Sequence, residues 1–153
     1  MDWEKLLLCA RIVVNGVKLF LQAFGISLSI STSAMENAIK KTAIVLRDSS
    51  VFQHAVKLFL IAWKGAGDSN VKRAKAIFAL VYATNAAGFL WVIITILFSS
   101  LSKWAWVKIS AKLSAMILAT FASSGFAVIG NMALRLLGAV DFIMDVNTLL
   151  DLN

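Results

Sequence analysis

Proline is missing from all 153 residues, and cysteine and histidine occur once each. With no proline-, glycine- or serine-rich stretch to act as a linker, the chain reads as a single domain, 1–153. Lone Cys9 excludes an intrachain disulfide, and among Leu6, Leu7, Leu8 and Ala10 it reads as a small apolar side chain. Lone His54 excludes a zinc site built on histidine pairs, so a hydrogen-bonded or interfacial role is the plainer reading. Acids are scarce too, eight against fifteen Lys and Arg, and they sit mostly at segment ends. No HExxH, no CxxC and no nucleophile–base spacing occurs, so the chain is not expected to be an enzyme. No cofactor is expected either. No Asn-x-Ser/Thr acceptor is present to report sidedness.

What is abundant is apolar side chain: 60% of residues, with mean hydropathy +0.84. Soluble chains carry roughly 45–50%. The excess is organised in runs. Ala76 to Ser102, between Lys75 and Lys103, is 27 residues without a charge, and Leu113 to Leu134 is another 22. A helix rising 1.5 Å per residue needs about 20 apolar residues to cross a hydrocarbon layer of ~30 Å, so each run is long enough. Joined by the link KWAWVKISAK, the two runs read as a transmembrane hairpin. Trp104 and Trp106 beside Lys103, Lys108 and Lys112 supply the aromatic belt and headgroup contacts. The fold expected is an all-α integral membrane bundle of about four membrane-associated helices, with segments at about 4–30, 37–63, 74–102 and 110–138.

The net charge of +7 would raise nucleic-acid binding in a soluble chain. Here the basic residues flank apolar runs and no aromatic-interleaved cluster exists, so the expected contacts are anionic headgroups and the bilayer, not nucleic acid. The opening MDWEK, with two acids against one lysine and Arg11 and Lys18 further on, does not read as a cleaved signal peptide. If four segments cross, both termini share a side, and the basic residues divide too evenly between the sides to orient the chain.

The polar residues inside the apolar segments are periodic. Glu4, Arg11, Asn15, Lys18 and Gln22 fall on one helical face. Such a helix lies in the headgroup layer, or crosses with its stripe toward an aqueous cavity. Ser27, Ser29, Ser31, Thr32 and Ser33 precede Glu36; this is a turn with helix-capping residues, or a hydroxyl-lined constriction with Glu36 as a charged ring. One long helix is expected from about Met35 to Trp63, with Asn37, Lys40, Arg47, His54, Lys57 and Lys64 along one face. Gly65 to Lys75 is a loop, with Asp68, Ser69 or Asn70 capping the next helix. In the last span Ala111, Ala115, Ala119, Ser123 and Ala127 recur every fourth residue. Small side chains at that spacing let helix backbones approach, so Ala115, Ala119, Ser123 and Ala127 are the expected helix-packing residues. Gly125, Gly130 and Gly138 make a bend plausible there. The tail, 139–153, is acidic and amphipathic. Its aspartates either solvate a terminal helix or, with Asp141 and Asp145 repeated round an axis, form a ring that concentrates cations.

Four spans are too few to enclose a wide water-filled route, whereas several copies around an axis can do so. The function expected is thus a homo-oligomeric, cation-permeable channel of an internal membrane, with Glu36, Asp141 and Asp145 as cation-attracting candidates. The alternative is a small structural or regulatory subunit of a larger membrane complex, its stripes satisfied by partners. The whole chain, from MDWEKLLLCARIVVNGVKLF to VDFIMDVNTLLDLN, resembles small plant endoplasmic-reticulum cation channels of the WeiTsing type. That resemblance implies a pentamer with a central pore, passage of calcium and other cations, residence in the endoplasmic reticulum, and a role in plant root defence signalling.

Overall fold

The computed structural model describes residues 2–26 and 29–152, so Ser27 of the hydroxyl-rich piece lies outside the described residues. Among the described residues the chain is all helical: α1 Trp3–Gln22, α2 Thr32–Asp48, α3 Ser50–Ala66, α4 Asn70–Ala86, α5 Leu90–Leu97, α6 Lys103–Ala122, α7 Phe126–Leu136 and α8 Val140–Leu152. Short polar side chains start them. Asp2 accepts a hydrogen bond from Lys5 N at 2.8 Å, and Ser31, Ser49, Ser69 and Ser102 accept from the backbone N–H three residues on. Ser31 therefore acts as a cap, while Glu36 lies beyond the first turn of α2 and takes no part in it.

The centre of the bundle is α1. Ile12, Val14, Val17, Phe20 and Leu21 are fully buried, with α2, α4, α5, α7 and α8 packed around them. Burying one such side chain is worth roughly 1.5–3 kcal/mol relative to water. The first segment is thus neither a lone surface helix nor exposed on its apolar face; its apolar face is the core. It also stops earlier than 4–30, at Gln22.

The other segments differ from their expected lengths in one way: each is broken. The helix expected from Met35 to Trp63 is two, because Ser49 is extended (φ −123°, ψ 107°) and starts α3 afresh. The 27-residue run turns through 102° between α4 and α5. There Gly88, at φ +77°, lets Phe89 N–H reach Thr84 O at 3.1 Å and Gly88 N–H reach Asn85 O at 2.9 Å, the paired bonds of a Schellman stop. The last run breaks after α6, where Ser124 (φ +65°) and Gly125 (φ +69°) are both left-handed. The tail helix α8 then meets α7 at 91°. Among the described residues α6 is the one unbroken helix long and apolar enough to cross a membrane, with up to three crossings if each bent pair counts as one.

α6 is also the least enclosed helix. Its buried side chains are Leu113, Ile117 and Thr120, while Trp104 is 70% exposed and Leu118 66%. Two of its aromatic side chains, Phe121 and Trp106, pin it. Phe121 stacks on Phe20 at 5.8 Å between centroids and meets Tyr82 edge-on at 5.1 Å, and Trp106 lies 5.5 Å from Phe98.

Candidate functional site

The two polar stripes legible in the sequence face each other. α8 runs antiparallel to α1, with Phe142 against Gly16 and Asp145 against Arg11. The corner between α7 and α8 holds the second wall away from α1 and leaves a groove of about 890 Å³. Arg11, Asn15, Lys18 and Gln22 line one side; Arg135, Gly138, Asp141 and Asp145 line the other. Asn131 ties α7 to the end of α1 by donating to Ala23 O at 3.1 Å.

Arg11 holds Asp145 through both carboxylate oxygens, Nε to Oδ2 at 3.0 Å and Nη2 to Oδ1 at 3.1 Å. The two-pronged geometry fixes the guanidinium plane. With side chains 49% and 23% exposed, the pair adds only about 1 kcal/mol or less in water. Asn15 donates to Arg11 O at 3.0 Å, on the same face one turn along. Asp141 lies in the first turn of α8, exposed, with no ion pair or hydrogen bond among the described residues. The groove's charges are thus Arg11, Lys18 and Arg135 against Asp141 and Asp145, with Arg11 and Asp145 offsetting each other.

Asp141 and Asp145 are therefore brought together, but they are unequal, one engaged and one open. Glu36 stands apart from both, exposed on α2 and outside the groove. Ala115, Ala119, Ser123 and Ala127 all point outward. The left-handed turn at Ser124–Gly125 divides the row between α6 and α7. Ser123 instead ends α6, its hydroxyl donating to Thr120 O at 3.3 Å.

No family model, curated protein or solved structure matches the chain. The site must therefore be judged on its own chemistry. Among the described residues no three His, Cys, Asp or Glu side chains gather as a bound metal would need. The groove offers paired and unpaired charge, amide groups and room for water, on a molecule whose remaining surface includes broad apolar helix faces. The residue the sequence left unflagged as a partner is Arg11. It stands 134 positions from Asp145, a separation that no local periodicity encodes.

Proposed function

We propose that the protein is an integral membrane protein whose copies assemble into a cation-permeable channel of an internal membrane. The observation that carries this reading is the charged groove between α1 and the α7–α8 corner, set in a chain of mean hydropathy +0.84. Charged side chains facing hydrocarbon are costly, so a groove of this kind is stable in a bilayer when it adjoins water or protein. Copies arranged with their grooves toward a common axis keep those side chains wet, and the bare face of α6 then meets lipid or neighbouring copies. Asp141 is the open carboxylate on that route and Glu36 the second candidate at a separate place. The resemblance to plant endoplasmic-reticulum channels adds a pentamer, calcium among the permeant ions, and a part in root defence signalling.

The experiment is conduction by the purified protein in a planar lipid bilayer, with particle images of the same preparation. Closed rings of one chain carrying cation-selective current support the reading. A single polypeptide without current rejects it. The other reading, a subunit of a larger complex, draws on the bareness of α6, with Trp104 and Leu118 uncovered. It is favoured if cross-linking in native membranes captures a different polypeptide on that helix.

A further inference from the structure

A second crevice, of about 620 Å³, lies on another part of the molecule, between α3 and the α1–α8 pair. Its volume falls in the range of roughly 300–1,000 Å³ typical of small-molecule sites. The Trp63 and Phe142 rings, 5.8 Å apart, bring the end of α3 beside the start of α8. Since Phe142 also sits against Gly16, α8 runs antiparallel to both α1 and α3. The far end of α8 therefore comes level with the start of α1 and the first half of α3. Lys5, His54 and Lys57 gather at that end, over Leu149 and Leu150, and Lys64 stands two turns further along α3. Val56 and Leu60 continue the apolar floor, and among the described residues no acidic side chain lines the crevice.

A cationic rim over an apolar floor suits a molecule with an anionic head and a hydrocarbon tail. A soluble anion leaves the floor unused. A second copy of this chain brings lysine against lysine. We infer that the crevice binds an anionic phospholipid, its phosphate among Lys5, His54 and Lys57 and one acyl chain along Leu60, Ile61 and Leu150. The inference goes beyond conduction and leans on the membrane reading only in that a bilayer supplies the lipid. It gives the assembly a means of sensing the lipid charge of its membrane, through the helix α8 that also carries Asp141 and Asp145.

The test uses the full chain in detergent, with phosphatidic acid and phosphatidylcholine of identical chains added at equal concentration and the retained lipid counted by native mass spectrometry. Phosphatidic acid should be retained over phosphatidylcholine. Lys5→Gln together with Lys57→Gln should lower that retention roughly 30-fold, from the usual contribution of a lysine near an anionic headgroup. Lys40→Gln with Lys41→Gln, on α2 and outside the crevice, should leave it unchanged. Equal retention of the two lipids overturns the proposal, as does unchanged retention in the Lys5/Lys57 variant with its helix content intact. Displacement of the lipid by an equal concentration of glycerol phosphate overturns the assignment of the acyl chain. Because no current is read, lost conduction with selective lipid retention rejects the channel alone, and conduction without retention rejects this site alone.

Discussion

Asp141 and Asp145 are one turn apart on α8, yet their removal should have different consequences. Asp141→Asn deletes an open carboxylate and should reduce calcium relative to potassium permeability, read as a shift of reversal potential in asymmetric solutions. Asp145→Asn does more, because it leaves the Arg11 guanidinium without its partner in the groove. The local charge change is the same, but in the proposed channel the exposed cation would repel permeant cations. The larger shift is expected from Asp145→Asn, and adding Arg11→Gln should restore part of it. Identical reversal potentials in all three variants would remove these residues from the ion route. This inequality was not legible in the sequence, where both aspartates appear as members of one acidic stripe. Helical spacing shows which residues share a face, but not what lies opposite that face. Gly125 is a second residue-scale case. A Cβ there would stand 2.5 Å from Phe78 Cε2, and the backbone sits at φ +69°. Gly125→Ala should therefore destabilise the fold by about 1–3 kcal/mol, visible as a lowered thermal midpoint by circular dichroism.

At the scale of elements, attachment of α6 depends on few contacts. Phe121 reaches Phe20 of α1 and Phe78 and Tyr82 of α4, so one ring joins three helices. Phe121→Ala should cost about 3 kcal/mol by the usual scale for aromatic truncation. It should loosen α6 before the rest, so limited proteolysis is expected to cut first near Ser99–Ser102 or Ser123–Gly125. Uniform resistance to the protease would show that α6 is held elsewhere. How far the elements could be read follows from the same chemistry. Hydropathy marked 76–102 and 113–134 as apolar, and α4 to α7 are built from those runs. It did not mark the break at Gly88, because Asn85, Ala86, Ala87 and Gly88 add no charge and barely change the average. The stop is a backbone event, made by a left-handed glycine and two hydrogen bonds. The division at Ser49 was hidden for a related reason, since a serine that caps one helix while ending another looks in sequence like a polar residue on a continuous face. The break near Gly125 was the more visible, with Ser123, Ser124 and Gly125 in succession.

For the whole molecule the question is what covers the outward face of α6. Inside one chain α1 is wrapped by other helices, whereas Ala115, Leu118 and Ala119 are exposed. In lipid an exposed leucine costs little, but a row of alanines gains by close approach to another backbone. Ala115 and Ala119 are thus expected to be a seam between copies, while Leu113, Ile117 and Phe121 hold α6 to its own chain. Ala119→Leu separates the two roles. It adds bulk on the outward face only, so each copy should fold as before, with unchanged helix content and thermal midpoint, while the assembly shrinks on size-exclusion chromatography in mild detergent. Ala115→Cys should conversely allow copies to be joined by a short thiol cross-linker, against a low background because Cys9 is buried. An assembly of unaltered size in Ala119→Leu, with no cross-linked product from Ala115→Cys, would place the seam on another helix. The groove of α1 and α8 would then be the next surface to probe, since its polar side chains are left for something outside the chain to meet.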